Sequence, residues 1–192
     1  MKTMSVTALP YAENVRARVT FLSAMYNHAK GHTGLVHVEK VESKNGIYKV
    51  LMRTRGLPFQ PVAEKHLNRM MRCVLTGLAR LHEKGFVHRD IRNTNILYLP
   101  TAPPNARYAL IDFEHGERSG KKPDEWLRDW DEDTLHDGKY DTFSDLYQLG
   151  KLLGMYSGML SEPGRRLVAS LRGRATSARE LLASNQWIRL AM

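Results

Sequence analysis

"VHRDIRNTNILYL", residues 87–99, decides how the chain is to be read. It opens and closes on apolar residues, and between them Asp90 stands five positions before Asn95. Standing alone, this is equally an ordinary polar turn between two strands. A carboxylate within hydrogen-bond reach of a hydroxyl, however, takes its proton as that hydroxyl attacks phosphorus. An amide oxygen together with a second carboxylate makes a hard-oxygen site suited to Mg²⁺ carrying a nucleotide's phosphates. The second carboxylate is Asp112, in "YALIDF", residues 108–113. "NILYL" and "YALIDF" both read as short strands, and antiparallel pairing returns Asp112 to the neighbourhood of Asn95.

Upstream of the loop lies the best-patterned helix of the chain, from Val62 to Glu83. Leu67, Met70, Met71, Val74, Leu75, Leu78 and Leu81 form a wide apolar face, and Gly85 supplies a C-terminal stop. "RGLPFQP" before it is a linker by its glycine and prolines. Further back, "LVHVEKVES" and "GIYKVLMRT" joined by "KNG" predict a β-hairpin. "KGHTG" is a turn, and from Tyr11 to about Lys30 the apolar spacing of Val15, Val19, Leu22 and Met25 predicts a helix. Downstream, an irregular acidic segment runs from Gly116 to about Tyr140, and the remainder is helical in pattern. The reading is therefore α+β, one domain over 1–192. A helix-plus-hairpin part spans about 1–58, and a mostly helical part about 59–192.

The 192 residues need no disulfide or metal to close a core. The single Cys73 lies in the apolar helix and reads as a small core residue, not a nucleophile. No signal peptide or membrane span is legible, which points to the inside of a cell, cytoplasm or nucleus. The net charge of +9 favours anionic partners. The basic residues are scattered in small groups without a nucleic-acid motif, so nucleic acid is disfavoured and nucleotide phosphates or acidic proteins fit as well.

"HRDIRNTN" resembles the catalytic loop of protein kinases, H-R-D-x-x-x-x-N, and "IDFE" resembles their D-F-G. "LARLHEKGFVHRD" is similar to the family's helix E and its following loop, "SDLYQLG" to helix F, and "GRATSARELLASNQWI" to the closing helices. The likeness covers roughly residues 10–190. It implies a protein-kinase-like fold with a reduced N-lobe, binding ATP and Mg²⁺ and acting on serine or threonine of a protein. By the same likeness Asp90 is the catalytic base, Arg92 the charge-neutralising group, and Asn95 and Asp112 the metal ligands. Glu13 matches the glutamate of helix C, on the nucleotide-binding side. His88 and Phe113 become apolar spine residues, Asp145 a buttress under the loop, and Arg174 the structural arginine, with Glu132 or Asp133 as its partner.

Departures from the family are equally plain. Twelve residues precede Glu13, with no G-x-G-x-x-G and no third-strand lysine found there. Glu114 replaces the glycine of D-F-G, which restricts the backbone. No A-P-E appears, and seven acids over 124–137 form a solvated loop or neutralise Arg89. These features keep open a pseudokinase acting as a binding module, and a choline- or aminoglycoside-type small-molecule kinase. A narrower likeness, carried by "HRDIR", "IDFE" and the short leading part, is to Crinkler-type effector kinases.

Overall fold

The computed structural model describes residues 2–5, 15–44, 47–52, 55–123, 132–174 and 176–189. It opens with strand β1 (Lys2–Ser5) and helix α1 (Val15–Ala29), then the hairpin strands β2 (Val38–Lys44) and β3 (Ile47–Met52). The three strands form one antiparallel sheet in the order β1-β3-β2, with Lys2 opposite Val50. The hairpin is where its sequence places it. The extra strand β1 is not legible in the sequence, because four residues are too few to establish an alternating pattern.

The linker contains a two-residue strand, β4 (Leu57–Pro58), and leads into α2 (Glu64–His82). All seven apolar positions read on α2 are fully buried. From α1, Leu22 and Met25 are buried and Val19 packs against the same core, which runs without a break into the C-terminal helices. Cys73 is buried too, its Sγ donating to the Asn105 carbonyl at 3.3 Å.

After α2 come β5 (Phe86–Val87), β6 (Ile96–Tyr98), β7 (Tyr108–Leu110) and β8 (Glu117–Arg118). β6 pairs antiparallel with β7, Ile96 opposite Leu110, and β4 adds to the other side of β6. β5 pairs with β8, so the start of the acidic segment is anchored beside the start of the loop. The two ends of that segment are drawn together as well, for the Tyr140 N–H donates to the Lys121 carbonyl at 2.9 Å and the Gly120 N–H to the Tyr140 carbonyl at 2.8 Å.

The turn at 31–34 ties the N-terminal part to this sheet. The Leu110 N–H donates to the Gly34 carbonyl at 2.8 Å, and the Val36 N–H to the Leu110 carbonyl at 3.0 Å. Gly34 holds φ +82°, and a Cβ there would lie 1.8 Å from the Cys73 carbonyl oxygen. Only glycine permits that approach of the turn to α2.

The remaining helices are α3 (Thr142–Gly154), α4 (Glu162–Arg172), α5 (Ala178–Ser184) and α6 (Gln186–Arg189). Capping boxes start α3, from Asp141 and Ser144, and α5, from Ser177 and Glu180. Gly150 lets α4 lie close, since a Cβ would meet the Arg172 side chain at 2.9 Å. The architecture is a mixed α/β one, with a reduced N-terminal lobe and a helical C-terminal lobe. Among the described residues no helix is long and apolar enough to cross a membrane.

Candidate active site

The loop between β5 and β6 hangs from α3. Asp145, fully buried, accepts the His88 N–H at 2.9 Å on one oxygen and the Arg89 N–H at 3.0 Å on the other. His82 from α2 and the Tyr140 hydroxyl meet the same carboxylate, each at 2.9 Å. One turn along α3, Gln148 accepts the Ile91 N–H at 2.8 Å and donates to the Arg89 carbonyl at 3.3 Å. The pair is spaced i, i+3, so both side chains leave one face of the helix. Gln148 is a residue the sequence reading passes over, although its spacing from Asp145 is the signal that finds it. Fixed at both main-chain groups, Arg89 holds φ +70°, a left-handed value that a non-glycine residue adopts only under such constraint.

Asp90 and Asn95 are brought together by this frame. The Asn95 amide donates one N–H to the Asp90 carbonyl at 2.9 Å and the other to the Asp90 carboxylate at 2.7 Å. Both N–H groups being engaged, the amide oxygen is the part left for a cation. Arg92 reaches the same carboxylate at 3.0 Å from a largely exposed position. The Ile111 N–H donates to the Asn95 carbonyl at 2.9 Å, which places Asp112 one residue beyond the contact. The antiparallel return expected of "YALIDF" is therefore what carries Asp112 to Asn95. Asp112 also holds a left-handed φ of +70°. Among the described residues no three His, Cys, Asp or Glu side chains close round a metal. One amide oxygen and one carboxylate suit an oxygen-seeking ion that takes its other ligands from phosphates and water.

His88 and Phe113 are completely buried, as spine residues should be. The Asp90 N–H donates to His88 Nδ1 at 3.2 Å, so Nε2 carries the proton and donates to the Ile111 carbonyl at 2.9 Å. Burial lowers the pKa of His88 and keeps the ring neutral, despite the opposing pull of Asp145. Phe113 stacks on Tyr26 of α1 at 4.7 Å, and its N–H donates to the Tyr26 hydroxyl at 3.2 Å. Arg18 of α1 donates to the Glu114 carbonyl at 2.6 Å and to Glu117 at 3.4 Å. Thus α1 holds the segment after Asp112 at two points.

One expectation is amended, and two others fall on residues outside those described. Arg174 meets Asp133 through the main-chain carbonyl, and it stacks over the Tyr147 ring at 5.7 Å. The Asp133 carboxylate instead accepts the Tyr147 hydroxyl at 3.3 Å. Arg89 donates to the carbonyls of Lys121 and Lys122 and lies over the Tyr140 ring, while the acids at 124–131 fall outside the described residues. Glu13 also lies outside the described residues. A lysine does stand on a strand ahead of α1, however, namely Lys2 of β1.

Residues 19–150 match a family model described as the protein kinase domain. The chain is similar to the MAP kinase kinase MKK1/SSP32 of Saccharomyces cerevisiae, 39% identical over 37% of this chain and 12% of that protein. It is similar to the calcium/calmodulin-dependent protein kinase cmkA of Emericella nidulans, 34% identical over 43% of this chain and 22% of the other. A serine/threonine-protein kinase H1 homolog of Pinctada fucata is 28% identical over 64% of this chain and 32% of its own length. The chain thus spans less than a third of each of these relatives.

Proposed function

The chain belongs to the protein kinase domain family, and from that premise we propose that it moves the γ-phosphoryl group of ATP to a serine or threonine hydroxyl of a protein. The observation that carries this reading is the clamp on Asp90. Its carboxylate is fixed by Asn95 at 2.7 Å and Arg92 at 3.0 Å, in a loop suspended from α3. Asp90 takes the proton of the attacking hydroxyl, and Arg92 offsets charge on the group in transfer. Asn95 and Asp112 would hold Mg²⁺, which when bound screens the negative charge of the phosphates. The division into lobes near residue 58, a protein substrate and an intracellular setting belong to the same proposal.

A second reading is a pseudokinase that serves as a binding module. It is favoured by the two contacts of Arg18 that tie α1 to the segment after Asp112. One experiment separates the readings. The purified chain is incubated with ATP and Mg²⁺ and with generic acidic and basic proteins, phosphate transfer is read by mass spectrometry, and ATP binding by calorimetry. Asp90→Asn is expected to lose about 10²–10⁴ in transfer rate while still binding ATP. Asp112→Asn is expected to lose binding and transfer together. Wild type that binds ATP and transfers nothing is the binding module, and transfer to an amino-alcohol or aminoglycoside alone makes it a small-molecule kinase.

A further inference from the structure

A cavity of about 430 Å³ lies between the linker, α2 and the β6–β7 hairpin. Leu57, Pro58 and Phe59 line it on the linker side, and Tyr98 and Tyr108 on the strand side. Phe59 stands edge-on to Tyr108, the ring centres 5.5 Å apart. The charged side chains in the lining are Arg69 and Arg107, joined by His66, and no carboxylate is among them. Neither arginine has an ion-pair partner among the described residues, and Arg107 spends only its Nε on the Ala102 carbonyl, at 3.2 Å. His66 Nδ1 accepts the Val62 N–H at 3.3 Å, which leaves Nε2 as a donor. Burial raises the pKa of the Tyr108 phenol, while Arg69 and Arg107 are near enough to oppose that rise.

The cavity is therefore rich in donors, positive, and apolar on one side. A carboxylate between two guanidinium groups forms charge-assisted bonds that a neutral ligand lacks. The apolar surface also continues outside the cavity, because Leu57 is 56% and Val62 78% exposed. A small free anion would leave that surface bare, whereas an extended chain would cover it. We propose that this cavity docks a peptide segment of a partner protein in which an Asp or Glu adjoins a bulky apolar residue. The carboxylate sits between Arg69 and Arg107, and the apolar side chain lies against Leu57 and Phe59. The Phe59 carbonyl accepts a hydrogen bond from Asn93 at 3.2 Å, so the docked segment is one residue removed from the loop that carries Asp90.

The test uses the full chain without nucleotide, so it stands or falls apart from phosphate transfer. A displayed library of random dodecapeptides is selected against the wild type, with Arg69→Glu and Arg107→Glu chains as counter-selection. The recovered consensus peptide is then labelled with fluorescein and titrated by anisotropy. We expect an acidic residue beside Leu, Ile, Val or Phe in the consensus. Binding should weaken roughly tenfold or more in each arginine variant. Leu57→Ser, at an exposed position where folding is not at stake, should weaken it as well. Circular dichroism checks the fold of all three. Failure to enrich any consensus, a basic consensus, or binding indifferent to Leu57→Ser would overturn the proposal. So would saturable binding of benzoate, the small-anion probe, as tight as that of the peptide.

Discussion

At the scale of single residues, Asp145 has the heaviest structural duty. Burial by itself would raise its pKa, but the hydrogen bond and charge of His82, with His88 and the Arg89 N–H, hold it below the ordinary aspartate value. A carboxylate depressed in the folded state stabilises fully above its unfolded pKa, near about 3.9, and that stability is lost as pH falls toward the folded value. Asp145→Asn should cost about 2–4 kcal/mol at neutral pH, because an amide leaves a buried donor unmatched. The gap to wild type should narrow below about pH 4, where only the wild type has a carboxylate to protonate there. Urea unfolding at neutral and acidic pH reads both effects, and an unchanged neutral-pH midpoint would show that Asp145 does not hold the loop. The expected neighbourhood of Asp90, Asn95 and Asp112 comes from residue type and strand order, and the bonds from Asn95 to Asp90 and from Ile111 to Asn95 draw those positions together. The partner of Arg174 is not, because a main-chain carbonyl leaves no mark in a sequence.

At the scale of elements, helices are legible and very short strands are not. The face of α2 is read correctly because seven apolar positions repeat at a single period. β4, β5 and β8 have two residues each, and pairing with a distant partner is all that defines them. The turn carrying Gly34 is such a tertiary device. It bonds to Leu110 on one side and touches α2 on the other, and so fixes the strand that leads to Asp112. Gly34→Ala combines a left-handed backbone with a collision against a carbonyl, and should cost about 2–4 kcal/mol. Thermal unfolding measures this, and a melting temperature equal to wild type would mean that the turn is free to move away from α2.

At the scale of the whole molecule, nucleotide binding should couple to stability. With Asn95 and Asp112 as the proposed metal ligands, we expect a Kd of roughly 0.1–1 mM for ATP with Mg²⁺. At about 10 mM nucleotide such affinity stabilises the fold by about 1.4–2.7 kcal/mol, visible as a rise in Tm. Asp112→Asn should abolish the rise, and an equal rise without Mg²⁺ would remove the metal from the site. The sequence by itself determined the α+β class, the helices and hairpin, and the order of Asp90, Asn95 and Asp112, since these depend on local period and residue chemistry. Tertiary structure alone decided that β1 adds Lys2 to the N-terminal sheet, that Gln148 joins Asp145 under the loop, and that Arg69 and Arg107 share a cavity. Each of these joins groups far apart in the chain, and the energy that joins them comes from packing and pairing that no local pattern encodes.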